Sequence, residues 1–134
     1  MADTFPFELV SPQRLVVSEP VASVVVPGSE GEFEIMAGHA PFLATIRPGV
    51  LVVKPASGAP RKVFVRGGFA DVSPTGLTVL AEEAVPVETL KPERILEAIK
   101  NAEEDLADAT DSLTKAQAAL TLNQLREVKA ALGF

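Results

Sequence analysis

The 134-residue chain has no cysteine, no tryptophan and no tyrosine, and it has a single histidine. The missing cysteine excludes disulfides, thiolate nucleophiles and thiolate metal ligands together. Basic charge is scarce: 12 Lys and Arg stand against 18 Asp and Glu, for a net charge of -6. A nucleic-acid surface needs a basic stripe to meet phosphates, so no nucleic acid is expected as a partner. A polybasic membrane surface is excluded on the same ground. No stretch approaches the roughly 18 consecutive apolar residues of a membrane span, so no bilayer insertion is expected. The opening MADTFPFELV lacks the basic start, apolar run and cleavage site of a secretory signal, which leads to the expectation of a cytoplasmic, soluble chain. What is present is 47% hydrophobic residues, which excludes wholesale disorder. The length suits one domain, or a small domain with an appendage.

Glycine and proline are absent from one long stretch. All 11 prolines lie at or before Pro92, and eight of the 9 glycines lie at or before Gly76, with Gly133 the last. Both residues break helices and make turns. The chain therefore divides into a turn-rich part, 1–88, and an unbroken part, 89–134. In the first part VASVVVP, EFEIM, VLVVK, KVFVR, FADVS and LTVLA are short runs rich in β-branched or aromatic residues. Turn signals such as Pro27-Gly28-Ser29, Pro48-Gly49, Gly67-Gly68 and Ser73-Pro74-Thr75-Gly76 separate them. This pattern predicts an antiparallel β-sandwich or barrel. Phe5, Phe7, Phe33, Phe42, Phe64 and Phe69 are its expected core anchors.

The second part predicts a helical hairpin. Ile95, Ile99, Ala102 and Leu106 fall on one helical face. Pro92 suits the first turn, where its missing N–H costs nothing, and Glu93 suits the positive end of the dipole. Asp111 or Ser112 offers an N-cap for a second helix and Gly133 a C-terminal cap. Leu113, Ala116 and Leu120, overlapping Leu122, Leu125 and Leu132, are its expected apolar run. The hairpin is rich in alanine, which forms helix well but buries little area, so it should form readily and dock weakly.

Chemistry is sparse. His39 sits in Gly38-His39-Ala40-Pro41 with no nucleophile motif around any serine, which favours a structural or interface role over general-base catalysis. Glu30, Glu32 and Glu34 alternate and share one face if extended, which reads as a solvated strand face rather than a cation site. Gly28-Ser29-Glu30-Gly31-Glu32 lacks the lysine of a phosphate loop. Without Trp or Tyr a glycan-binding sandwich is disfavoured, and the single histidine disfavours a small hydrolase. No catalytic, cofactor or metal site is expected.

Gly28-Ser29-Glu30-Gly31-Glu32-Phe33-Glu34-Ile35, followed by Gly38-His39-Ala40-Pro41-Phe42-Leu43 and Ile46-Arg47-Pro48-Gly49, resembles the epsilon subunit of F-type ATP synthases, itself similar to the mitochondrial delta subunit. Phe7-Glu8-Leu9-Val10-Ser11-Pro12 and Val65-Arg66-Gly67-Gly68-Phe69-Ala70-Asp71-Val72 match as well, so the resemblance spans the chain. It implies a sandwich of about ten strands followed by an α-helical hairpin. It further implies a non-catalytic central-stalk subunit that grips the gamma subunit, rests on the membrane ring of c subunits and helps couple proton flow to ATP synthesis. The place implied is the cytoplasmic face of a bacterial inner membrane, as a peripheral subunit. Glu30, Gly31, Glu32, His39, Ala40, Pro41 and Phe42 are the implied contacts with ring and gamma. The hairpin, through Arg94, Lys115, Arg126 and Lys129, is an implied regulatory element that reaches alpha and beta subunits and blocks hydrolysis. Some bacterial members bind ATP through I/L-D-x-x-R-A at the start of the first helix. Here Leu90-Lys91-Pro92-Glu93-Arg94-Ile95 keeps the Leu and Arg but puts Lys91 for the acid and Ile95 for the alanine. No tight ATP binding is therefore expected.

Overall fold

The computed structural model describes residues 3–134. Residues up to Glu88 form one compact unit and Thr89 to Phe134 a second. The first carries eight strands: β1 (Phe5–Val10), β2 (Leu15–Val21), β3 (Ser23–Gly28), β4 (Gly31–Met36), β5 (Phe42–Thr45), β6 (Gly49–Lys54), β7 (Arg61–Ser73) and β8 (Gly76–Pro86). A 3₁₀ turn, Val87–Thr89, follows, then α1 (Pro92–Asp108) and α2 (Ser112–Leu132).

The strands pair in the order β2-β1-β8-β7-β6-β3-β4, and β5 pairs with β7 off this path. The expected antiparallel pairing holds except between β1 and β8, which run parallel. That exception places the first strand of the unit beside its last. Eight strands form: two of the six expected runs are one, and β1, β2 and β5 lie outside those runs. KVFVR and FADVS belong to the single strand β7, which pairs with β6 through Arg61–Val65 and with β5 through Phe69–Val72. Its register with β8 continues from Val63↔Pro86 to Ser73↔Gly76. β7 changes its partner on one side at Gly67-Gly68. Gly68 has φ +99, and a Cβ there would lie 1.8 Å from the Leu80 carbonyl oxygen, so only glycine lets β7 and β8 stay paired through the corner.

The core follows from the period-two alternation of the strands. Phe5, Phe7 and Leu9 point inward from β1, Val24 and Val26 from β3, Leu51 and Val53 from β6, and Ala70 and Val72 from β7. Each large side chain so buried contributes about 1.5–3 kcal/mol. Of the phenylalanines expected to anchor this core, Phe5 and Phe7 do, Phe33 packs against it partly buried, and Phe64 is buried. Phe42 and Phe69 do not: they are 43% and 39% exposed. Alternation explains Phe69, because its neighbours Ala70 and Val72 take the inward positions.

In the hairpin, Pro92 stands in the first turn of α1. The Asp111 carboxylate caps α2 by accepting from the Thr114 amide at 2.8 Å. Gly133 closes α2 in the left-handed region at φ 73. The seam uses Ile95, Ala98, Ile99 and Ala102 of α1 and Leu122, Leu125 and Val128 of α2. Leu113 and Leu120, expected on the same run, are exposed. Helical geometry gives the reason. Nine residues at roughly 100° each place Leu122 about half a turn round the axis from Leu113, so the run divides onto opposite faces. Among the described residues no helix is long and apolar enough to cross a membrane.

Candidate functional site

The β3–β4 turn and β5 form the first part of the site. Gly28 pairs with Gly31, leaving Ser29 and Glu30 as the turn. A Cβ on Gly28 would meet the Gly31 carbonyl oxygen at 2.7 Å and the Phe33 ring at 2.8 Å, so the tight approach needs glycine. The turn is tied to β5 and its continuation. The Ser29 amide donates to the Thr45 carbonyl at 2.9 Å, and the Arg47 amide to the Pro27 carbonyl at 3.0 Å. The Ser29 and Thr45 hydroxyls hydrogen-bond each other. Phe33 and Phe42 meet edge to face with centroids 5.2 Å apart. Together Gly28–Gly31, Phe33 and Phe42–Thr45 line a cleft of about 450 Å³.

The three glutamates do not share one face in the way their spacing suggested. Glu30 lies in the turn, while Glu32 and Glu34 lie on β4, an end strand of the sheet path. Glu34 pairs with Lys54 of β6 at 3.1 Å. The hydrogen bond from Lys54, another from Ser23 and the Lys54 charge hold its carboxyl below the usual range. Glu30 and Glu32 remain exposed beside the cleft.

The β4–β5 loop carries His39, Ala40 and Pro41. Ala40, Pro41 and Phe42 are exposed, whereas the His39 side chain is half-buried and turned toward its own backbone. Its Nδ1 lies 2.6 Å from the Met36 carbonyl oxygen and its Nε2 2.6 Å from that of Ser73, the last residue of β7. The Phe5 ring stands edge-on to it at 5.3 Å. The structure thus gathers Glu30, Gly31 and Phe42 at one cleft, adds Glu32 on the adjoining strand, and fastens the loop bearing Ala40 and Pro41 through His39.

The hairpin residues are not brought into one cluster. Lys115 and Arg126 are separated along α2 by eleven residues, about 16 Å of helix. Arg126 lies 3.4 Å from Glu103 of α1. Arg94 occupies the first turn of α1 and Lys129 the last turn of α2.

A larger feature escaped the sequence reading. Opposed residues in paired strands share a face. The pairs Thr45↔Phe69, Phe69↔Leu80, Leu80↔Val10 and Val10↔Leu15 therefore form one row across β5, β7, β8, β1 and β2. Leu15 is 54% exposed, with Phe69 and Leu80 close to 39% and 38%, and Val10 is half-buried. The adjacent row reads Leu43, Asp71, Thr78, Glu8 and Ser18, with Leu43 67% exposed. A continuous apolar stripe flanked by acids thus lies on the outer sheet face. The signal was present in Phe69-Ala70-Asp71-Val72, where an aromatic shares its strand parity with an aspartate.

Comparison with known proteins agrees with this architecture. Residues 4–87 match the model of the ATP synthase delta/epsilon chain β-sandwich domain. An ATP synthase epsilon chain of Mesorhizobium japonicum is 50% identical over 132 residues, 98% of this chain and 98% of its own length. One of Parvibaculum lavamentivorans is 48% identical over 96% of this chain and 98% of its own. Among solved structures, a chain of the Euglena gracilis mitochondrial ATP synthase, in its OSCP/F1/c-ring assembly, superposes with a TM-score of 0.76 at 27% identity, covering 96% of this chain and 81% of that one. A chain of the Tetrahymena thermophila central stalk and c-ring shares the fold, with a TM-score of 0.70 at 12% identity over 94% and 96%. The chain belongs to the delta/epsilon family of ATP synthase subunits, with the epsilon chains as its near full-length relatives.

Proposed function

We propose that the chain is a non-catalytic central-stalk subunit of a proton-translocating F-type ATP synthase. It turns with the rotor at the cytoplasmic face of a bacterial inner membrane and helps couple ring rotation to ATP synthesis. The observation that carries this reading is the stripe of Phe69, Leu80, Val10 and Leu15 on the outer sheet face. Scattered surface leucines need no explanation, but a contiguous apolar stripe on a small domain marks a protein interface. The gamma subunit is its occupant in this reading. Glu30, Gly31, Glu32 and the Ala40–Phe42 segment are the contacts with the ring of c subunits and the adjoining part of gamma. Support comes from the relatives' epsilon-chain names and from the c-ring assemblies that hold the two structural neighbours.

The test is co-elution with gamma. Phe69→Asp and Leu80→Asp place a charge in the stripe without touching the core, and each should weaken the complex at least tenfold, as for an interface anchor. Circular dichroism of the free chain should not change. Unimpaired co-elution of both variants would remove the gamma assignment. Separately, a cysteine at position 32 should cross-link to the ring or gamma in the assembled enzyme.

The hairpin is the regulatory part of this reading, meeting alpha and beta subunits through Arg94, Lys115, Arg126 and Lys129. The second apolar face of α2, Leu113 and Leu120, supports it, because it leaves a helix surface available beyond the seam. Truncation after Glu88 should raise the ATP hydrolysis rate of the assembled enzyme, and an unchanged rate would strike out the inhibitory role. ATP itself should bind weakly: Ile95 is fully buried where a small residue would leave room, and Lys91 stands where an acid is needed. Micromolar affinity by titration calorimetry would contradict this.

A further inference from the structure

The contacts of His39 raise a question of donors. A backbone carbonyl oxygen only accepts hydrogen bonds, and a neutral imidazole donates from one nitrogen while the other presents a lone pair. Both ring nitrogens of His39 lie 2.6 Å from carbonyl oxygens, those of Met36 and Ser73. That distance is at the short end for N–H···O bonds and suits a charged donor. With a neutral ring, one nitrogen lone pair would face a carbonyl lone pair across the same gap. Only the doubly protonated ring satisfies both partners.

We propose that His39 is a proton-operated clip. As imidazolium it donates to both carbonyls and fastens the β4–β5 loop to the end of β7. When the ring loses its proton, one of the two bonds is lost and the loop is held from one side only. The clip is thus closed on the acid side and loosens as pH rises.

The elements around the ring are β1 through the Phe5 ring, the end of β4 through Met36, and the end of β7 through Ser73. The charged side chains nearest these contacts along the chain are Asp3 and Glu8 for β1, Glu34 for β4, and Asp71 and Glu82 for β7 and β8. Glu34 is engaged with Lys54. Glu8 and Asp71 share a row on the outer sheet face, on the opposite strand parity from the inward Phe5 and Val72. Composition isolates the effect: the chain has one histidine and no cysteine.

The loop also bears Ala40, Pro41 and Phe42, so ring contact would become proton-linked. That consequence rests on the rotor reading above, whereas the clip does not.

The experiment uses the free full-length chain labelled with ¹⁵N-histidine, which gives a single ring signal. At pH 5.5 both ring N–H protons should be seen, exchanging with water at least tenfold more slowly than in free imidazolium. At pH 8.5 one should be gone, with the Gly38 and Ala40 amides shifting in concert. His39→Gln should abolish the pH dependence of those amides. Ring protons exchanging as fast as in free imidazolium would overturn the proposal, even if the variant failed to fold. So would loop amides that respond to pH equally in His39→Gln. Because no partner is present, either failure would leave the gamma assignment standing.

Discussion

Single residues decide more here than their size suggests. At Gly68 a methyl group would be driven into the Leu80 carbonyl oxygen, and the backbone there sits at φ +99. Gly68→Ala should therefore cost the sandwich about 3 kcal/mol or more, combining backbone strain with overpacking. Chemical denaturation followed by the sheet signal checks this, and a loss under 1 kcal/mol would show that the corner relaxes easily. Glu34 makes a gentler prediction. Its carboxyl is held low by Lys54 and Ser23, so its contribution is present above the ordinary value of 4.5 and is lost as pH falls through the lower folded value. Glu34→Gln should flatten the pH dependence of sandwich stability below that value and lower stability by the same pH-independent amount through the neutral range. The ring contacts of His39 had no sequence signal at all, because both partners are backbone carbonyls supplied by chain reversals three and 34 residues away.

At the scale of elements, the two faces of α2 make opposite predictions. Leu125 is fully buried in the seam, and Leu125→Ala should destabilise the hairpin by about 2–5 kcal/mol. Leu120 is 57% exposed, and Leu120→Ala should stay within about 0.5 kcal/mol. Thermal melts of the helical signal separate the two, and equal losses would refute the assigned seam. The Asp111 cap behaves like Glu34. The bonds from Thr114 keep its carboxyl below the ordinary 3.8, so the cap acts above that value and fails as pH falls through the lower one. Asp111→Ala should lower helicity at neutral pH and remove that acid sensitivity. The helices were legible because Pro92, Asp111 and Gly133 punctuate an otherwise unbroken stretch. The division of the apolar run into two faces was not seen, because proximity in sequence stood in for angle round the axis. Strand β5 was missed for a different reason: FLAT is four residues long, is mostly exposed, and takes its identity from pairing with β7. Its residues carried no alternation to read.

At the scale of the molecule, the division into a turn-rich part and a helical part was legible from glycine and proline alone. The outer stripe was not, since its apolar residues come from four strands whose order no local pattern reveals. The compact unit ending at Glu88 should keep its sheet when expressed alone, as judged by circular dichroism and a cooperative melt. An unfolded fragment would show that Thr89 to Phe134 is required for the sandwich to stand. The long β7–β8 ladder has a mechanical consequence. The pairing extends from Val63↔Pro86 to Ser73↔Gly76, and Leu80 and Phe69 of the stripe lie within it. A load entering at the stripe and leaving along the strands is shared by many hydrogen bonds in shear, not broken one bond at a time. At Gly67-Gly68 β7 changes its other partner while its pairing with β8 resumes in the same register, so the two strands form one spine along which such a load is carried.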